Sequence, residues 1–211
     1  MREISDGIIC IFATLYFLPD FGKGYRNIAL NKNATQVSTR LNNFTYFGAK
    51  NANDGKRNQF APNGDCMHTN DTDPEKWWTI DFGNMYTIES VSIYGRKFCC
   101  FERHSDFEIR IHNTSDWSSQ YSLCYKQIGQ APTELYVNCT DFISGKYLTV
   151  YKKNDHHNYP LTLCEVEVYG SETTVNTYIR ADNSWNSKWK SHYIRIKAHN
   201  SWNYNWRLHN K

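Results

Sequence analysis

Alternation of apolar and polar residues with a period of two recurs through most of this chain and limits it to a β-rich fold. Between residues 27 and 170, short alternating runs are separated by polar turns. This period is typical of strands with one buried face. No stretch of ten or more residues has the pattern of an amphipathic helix. The runs occupy residues 76–82, 87–94, 107–111, 146–151 and 163–169.

Composition favours the same fold class. Asn, Thr, Tyr, Ile and Val are plentiful, whereas the helix-favouring Ala and Leu are scarce. Antiparallel strands over residues 27–170 fit a single all-β domain, a β-sandwich or jelly roll. The net charge of +3 is too small to indicate a nucleic-acid-binding protein.

An uninterrupted, mostly apolar run, residues 7–18, lies near the N-terminus. It is shorter than the roughly 20 residues of a membrane-spanning helix, and small residues follow it at Gly22 and Gly24. This pattern predicts a signal peptide over residues 1–24 and a secreted, extracellular protein. The alternative is a buried N-terminal strand, since the segment before the run has one Arg and two acids rather than a positive head.

Cleavage after residue 24 would remove one of the seven cysteines, Cys10. An even number in a secreted domain predicts disulfide bonds, although spacing alone does not choose among 15 connectivities. Five N-x-[ST] sequons are consistent with a secreted glycoprotein: Asn33, Asn43, Asn70, Asn113 and Asn138. The six remaining cysteines are Cys66, Cys99, Cys100, Cys124, Cys139 and Cys164.

After residue 170 the composition changes. Residues 171–211 form a basic C-terminal extension rich in Trp and Asn, in which the segment around Trp185 nearly repeats around Trp202. Two repeats are too few to bury a core of their own, which favours an appended tail or the start of another domain. The alternative is a basic aromatic surface that stacks on sugars, nucleic acid or another chain.

The segment from Arg96 to Arg103 has the most unusual chemistry in the chain. Its adjacent cysteines, Cys99 and Cys100, are free, bonded to two different partners, or bonded to each other in a strained vicinal disulfide. The two arginines offer planar forks of donors suited to vicinal hydroxyl groups or a carboxylate.

Two upstream loops, residues 51–55 and 63–68, place Asn and Asp next to Gly. Such residues supply the oxygen ligands that calcium prefers. The alternative is a pair of ordinary Asx turns without a metal.

Several motifs together resemble F-type lectins, the fucolectins. They lie in order along residues 27–170, nearly the whole domain. The motifs are residues 27–36 (NIALNKNATQ), Asn51-Ala52-x-Asp54-Gly55, Cys66-x-His68-Thr69, Trp77-Trp78-x-Ile80-Asp81, Arg96…Cys99-Cys100-x-Glu102-Arg103 and residues 163–168 (LCEVEV).

The resemblance implies a discoidin-like jelly roll, residues 25–170, that binds terminal α-L-fucose on glycans and has no enzymatic activity. His68, Arg96 and Arg103 would hydrogen-bond the sugar, and a Cys99–Cys100 disulfide would pack on its ring edge. The remaining bridges would be Cys66–Cys164 and Cys124–Cys139. Calcium ligands would be Asn51, Asp54, Lys56, Asp65, Cys164 and Glu165, with Lys56 and Cys164 acting through carbonyl oxygens.

One departure from the family pattern bears on specificity. Two residues after Arg96 the family usually has an acid, whereas this chain has Phe98, preceded by Lys97. We expect a more positive pocket with added bulk, and an altered affinity or sugar preference, with an acidic or sulfated glycan as one conceivable ligand. Residues that cup the fucose methyl group are expected among Phe44, Tyr46 and Pro62.

The expected role is glycan recognition in innate immunity or in cell or gamete adhesion, through a homo-oligomer that gains avidity. The alternative is a discoidin-like module for protein, anionic lipid or anionic glycan without fucose specificity. An enzyme built on Asp155-His156-His157 is disfavoured because adjacent residues of a strand point to opposite faces. Thiol exchange at Cys99 and Cys100 is disfavoured by the lack of C-x-x-C spacing.

Overall fold

The computed structural model describes residues 26–153 and 159–173 in full, together with the backbone of three short strands beyond them. The strands are β1 (Asn33–Gln36), β2 (Met67–His68), β3 (Glu75–Tyr94), β4 (Phe107–His112), β5 (Tyr121–Lys126), β6 (Glu134–Lys153), β7 (Thr162–Leu163), β8 (Glu165–Glu172), β9 (Thr177–Tyr178), β10 (Arg195–Ala198) and β11 (Ser201–Trp202). The helices are α1 (Phe44–Phe47) and the 3-10 turns Arg40–Asn42, Ala49–Ala52, Ala61–Asn63 and Phe101–Arg103.

Two 20-residue strands, β3 and β6, run antiparallel and form both layers of a jelly roll. In one layer, residues 75–81 of β3 lie between β1 and the end of β6, and β4 and β5 follow. In the other, residues 86–94 of β3 lie between β8 and the first half of β6. The register shifts between the halves, where Gly83 takes a φ of 84° that side-chain-bearing residues rarely adopt.

The core follows from the alternation seen in the sequence. In the first half of β3, Trp78, Ile80 and Phe82 are fully buried, and they pack in one cluster with residues of β4, β6 and β8. The predicted all-β fold is confirmed, and all five predicted segments lie in strands, although residues 76–82 and 87–94 share β3 and the segment 163–169 is divided at Cys164 between β7 and β8. The longest α-helix among the described residues has four residues, and none there could cross a membrane.

Two disulfide bonds brace the sandwich, and both were implied by the family resemblance. Cys66–Cys164 joins the residue before β2 to the residue between β7 and β8, across 98 positions of sequence. Cys124–Cys139 joins β5 to β6 across 15 positions. The first bond therefore fixes the segment that carries His68.

Other predictions concern residues that the structure does not describe. The signal peptide, residues 1–24, and the motif Asp155-His156-His157 lie outside the described residues. Within the C-terminal extension, residues 171–173 are described in full, and the first two of them complete β8, whereas beyond them only the backbone of β9, β10 and β11 is described, with β10 paired to both of the others. The role of that extension stays a prediction.

Removing the two disulfides separately should cost different amounts of stability. The double variant Cys66→Ala, Cys164→Ala should lose about 1.7 kcal/mol more free energy of unfolding than Cys124→Ala, Cys139→Ala, because the longer loop releases more entropy in the unfolded chain. Chemical denaturation of both variants and the wild type measures the difference. Equal losses would mean that loop length does not govern the contribution of these bonds.

Candidate functional site

The predicted sugar-binding residues come from two segments that the fold brings together. Arg96, Cys99, Cys100 and Arg103 lie in the connection between β3 and β4, and His68 ends β2. Arg103 Nη1 lies 2.7 Å from His68 Nε2, and both guanidinium groups act electrostatically on the Cys100 thiol. All five residues therefore belong to one site.

Hydrogen bonds fix the protonation of His68. Its Nδ1 lies 2.6 Å from the carbonyl oxygen of Thr69, which only accepts, so Nδ1 carries the proton. Nε2 is then the acceptor for the guanidinium of Arg103. Burial, against the opposing effect of the Thr69 carbonyl and with a smaller contribution from the charge of Arg103, lowers the pKa of His68 to about 4. At neutral pH the site therefore presents an uncharged imidazole with a lone pair at Nε2.

Each arginine keeps an unused donor. The Nε atoms of Arg96 and Arg103 are buried and have no hydrogen-bond partner among the described residues. Buried donors are normally paired, so these two Nε atoms leave the site with unsatisfied hydrogen-bonding capacity.

Gln59 holds the backbone around Arg96. Its side-chain amide nitrogen donates to the carbonyls of Gly95, at 2.8 Å, and Thr133, at 2.9 Å. Its backbone carbonyl accepts from the N–H of Lys97 at 3.0 Å. The residues on both sides of Arg96 are thus fastened to a neighbouring loop.

Lys152 does the same for the backbone around Arg103. Its ammonium group, fully buried on β6, donates to the carbonyls of Glu102, at 3.3 Å, and Ser105, at 3.0 Å. Sequence reasoning missed this residue because lysine usually points to solvent. The signal was present, since Lys152 has the same parity as the buried Leu148 and Val150.

The predicted bond between Cys99 and Cys100 is wrong for this structure, in which both are free thiols. A bond between neighbours closes a small ring containing a planar trans peptide, and such a ring is strained. The two thiols still contact each other, and burial, together with the hydrogen bond that the Cys100 thiol donates to Cys99, raises the pKa of Cys100. They therefore supply an uncharged, polarisable surface beside the arginines.

The ring packed against His68 belongs to a residue that sequence reasoning did not single out, and the expected methyl contacts stay a prediction. The ring of Phe47, in α1, meets the imidazole edge-on at 5.6 Å, and Tyr46 packs against Phe47 at 6.3 Å. Phe44 is 67% exposed. Among the expected residues, Tyr46 therefore reaches the imidazole only through Phe47, which sequence reasoning did not single out.

The residues expected to bind calcium form an oxygen-rich region. Asp54, Asp65 and Glu165 all act on Lys56, whose pKa they raise, chiefly through the hydrogen bond from its Nζ to Asp54 at 2.9 Å. Asn51 is buried, and its amide nitrogen donates to the carbonyls of Thr45 and Gly64.

Glu165 provides the test of whether these residues fit a cation. It is fully buried, and its carboxylate accepts from the N–H of Gly55 at 3.2 Å. Burial and the negative charge of Asp54 raise its pKa to about 8. No group of three or more His, Cys, Asp or Glu side chains arranged for a metal occurs in the described part of the chain. The set fits calcium if amide and backbone oxygens complete it.

Comparison with known proteins gives this site a family context. Residues 51–150 match the family model described as a NedA-like, galactose-binding domain. Fucolectin-4 of Anguilla japonica is 36% identical over 154 residues, which cover 72% of this chain and 83% of that protein. Fucolectin-3 of the same species is 35% identical over 154 residues, covering 71% and 83%.

Solved structures agree. The F-lectin (fucolectin) from the serum of striped bass, Morone saxatilis, superposes with a TM-score of 0.66 at 33% identity, covering 74% of this chain and 52% of that chain. The lectin domain of lectinolysin, complexed with Lewis B antigen, superposes with a TM-score of 0.57 at 29% identity, covering 69% and 97%. This chain spans about half of the striped bass chain.

The buried imidazole makes a pH prediction. Because the folded pKa of His68, about 4, lies below its ordinary value of 6.5, the unfolded chain binds the proton first. The stability contributed by neutral His68 is fully present above pH 6.5 and is lost as the pH falls toward 4. His68→Asn keeps an N–H for the Thr69 carbonyl but does not titrate. Its free energy of unfolding, followed by chemical denaturation, should fall less steeply, by up to about 1.4 kcal/mol per pH unit.

His104 is an internal reference for this measurement. It is buried, and burial lowers its pKa to about 4 as well, so it contributes to the slope in both proteins. Identical pH profiles for the wild type and His68→Asn would contradict a buried neutral imidazole at position 68.

Proposed function

Because this chain belongs to the fucolectin, or F-type lectin, family, we propose that it is a carbohydrate-binding protein that recognises terminal α-L-fucose without catalysing a reaction. The observation that carries the proposal is the pairing of a neutral imidazole acceptor with guanidinium donors, 2.7 Å apart at Arg103 and His68. The relatives named fucolectin and the lectin domain complexed with Lewis B antigen support fucose as the sugar.

This pairing favours a hydroxyl group as the bound group. The one lone pair of His68 Nε2 accepts from Arg103 in this structure, and a sugar hydroxyl that took the place of that contact would donate to Nε2 and accept from the guanidinium at the same time. A carboxylate or sulfate oxygen only accepts, so in the same place it would displace Arg103 from Nε2 and leave that lone pair without a donor. The site is therefore better matched to a neutral sugar than to the acidic or sulfated glycan that the missing acid suggested.

The remaining donors and the thiols match the two faces of fucose. The unpartnered Nε atoms of Arg96 and Arg103 would donate to further hydroxyl or ring oxygens, each charge-assisted bond contributing about 1.5–3 kcal/mol. Cys99 and Cys100 would pack against the apolar ring edge. We place the methyl group beside Phe47, whose ring lies next to His68.

We also propose that calcium binds at Asn51, Asp54, Lys56, Asp65, Cys164 and Glu165, through side-chain oxygens where available and backbone carbonyls at Lys56 and Cys164. The bound ion would supply positive charge to the buried Glu165 and tie together the loop that precedes β2. A loop ordered in advance loses less entropy when the sugar binds.

The setting we propose is extracellular. Two disulfide bonds are typical of secreted proteins, and they agree with the signal peptide expected over residues 1–24. A single monosaccharide site binds weakly, so we propose an oligomer that recognises glycans multivalently in defence or adhesion.

Binding of methyl α-L-fucoside, measured by calorimetry, tests the function. Arg103→Ala should weaken binding at least about tenfold, since it removes a charge-assisted donor. Arg57→Ala should leave it unchanged, because Arg57 pairs with Glu167 at 2.7 Å. If the wild-type protein does not bind the fucoside but binds anionic vesicles, the result would instead support the discoidin-like alternative.

Calcium binding is tested by unfolding with and without the ion. Calcium at 100 times its dissociation constant should stabilise the wild type by about 2.7 kcal/mol, and Glu165→Gln should lose most of this response. Glu167→Gln is the matched control, since this nearby acid is held by Arg57 and Tyr169. An equal calcium response in all three proteins would place the ion elsewhere or exclude it from this region.

A further inference from the structure

Two exposed phenylalanines, Phe60 and Phe98, contact each other beside the site. Phe98 is 76% exposed and Phe60 is 43% exposed, and their rings meet edge-on with centroids 6.2 Å apart. They come from different loops, so their contact depends on the fold rather than on sequence proximity.

The backbone next to this pair is fixed relative to the sugar-binding arginines. Gln59, which precedes Phe60, accepts a hydrogen bond from the N–H of Lys97 and donates to the carbonyl of Gly95. These bonds lie on either side of Arg96, two residues before Phe98. The aromatic pair is therefore continuous with the proposed fucose site.

Phe98 combines two unfavourable features. Its backbone takes a φ of 79°, a left-handed conformation that is a true outlier for a bulky residue. Its large apolar side chain also faces solvent. Strained residues cluster at active sites and ligand-binding segments, where the surrounding structure holds them in place. A bound molecule that covers Phe98 would remove the exposed apolar surface.

We propose that Phe60 and Phe98 form an aromatic subsite for the sugar unit to which the terminal fucose is linked. This inference rests on the proposed function. The monosaccharide itself would be held deeper, by His68, which is only 2% exposed, and by the arginines. The second sugar residue would lie at the rim of the pocket. There the apolar C–H face of that sugar would pack on the rings of Phe60 and Phe98, a contact that needs no fixed hydrogen bonds.

The position of Phe98 indicates how this residue would act on specificity. In the family pattern an acid stands at this place in the sequence, and it would act by charge. Here the side chain turns outward to Phe60, so the substitution exchanges a charged group for apolar contact area. The protein would then discriminate less by the fucose itself and more by the sugar residue to which the fucose is linked.

The test compares one sugar with its extended forms. Full-chain wild type, Phe98→Ala and Phe60→Ala are titrated with methyl α-L-fucoside and with fucosyl disaccharides linked α1→2, α1→3 and α1→4 to a hexose or hexosamine. Both variants should lose about three- to tenfold affinity for at least one disaccharide while their affinity for the methyl fucoside stays within about twofold of the wild type.

Phe142→Ala is the matched control. Phe142 is 77% exposed, as Phe98 is, but it precedes Ile143, which pairs with Ile88, roughly 20 Å along β3 from Tyr94 and the site. It should change neither affinity.

Other outcomes overturn the proposal in distinguishable ways. Unchanged disaccharide affinities in both variants, or equal losses for every ligand including the methyl fucoside, would show that the pair is not a separate subsite. A wild type that does not bind the methyl fucoside would remove the proposed function and the subsite together. Thermal unfolding of each variant confirms that it is folded, as expected for exposed side chains.

Discussion

The contact between Arg103 and the neutral imidazole of His68 is the interaction on which the site depends. It requires that His68 stay unprotonated, since a cationic imidazole would have no lone pair for the guanidinium and would repel it. Burial provides this condition, and the bond from Nδ1 to the Thr69 carbonyl selects the tautomer. The Cys66–Cys164 bond, two residues before His68, ties the same segment to the start of β8. Core packing thus sets the chemistry of a surface site.

Two buried ammonium groups fix loop backbone near the site. Lys76 and Lys152 are register partners on β3 and β6, and both are fully buried. Lys76 donates to the carbonyl of Asp73 at 2.7 Å, and Lys152 donates to the carbonyls that flank Arg103. A buried ammonium needs such acceptors to offset its lost hydration, so the loops and the sheet stabilise each other. Loops without regular structure are held in place this way.

Local pattern predicted the strands well because burial on one face imposes a period of two. It did not show that residues 76–82 and 87–94 belong to one strand, because the register with β6 breaks between Asp81 and Tyr86, around Gly83, and resumes on the other side. The site residues His68, Arg96 and Arg103 came from ordered motifs, and the structure brings them together. Lys152 and Phe47 were missed because their roles arise from contacts between distant segments. The prediction of a Cys99–Cys100 bond was wrong. Neighbouring cysteines are close in sequence, but a bond between them closes a strained ring.

Because Phe98 stands where the family pattern has an acid, another feature must position Arg96. Lys97 does not add its charge to the pocket, because it pairs with Glu134 at 3.6 Å on the surface. Packing takes the place of charge. Gly95 has no side chain, which lets the ring of His104 lie directly against it, and His104 in turn stacks on Phe107 at 5.0 Å. Arg96 is therefore positioned by a rigid backbone, and position 98 is left free to carry an apolar contact without disturbing the arginine.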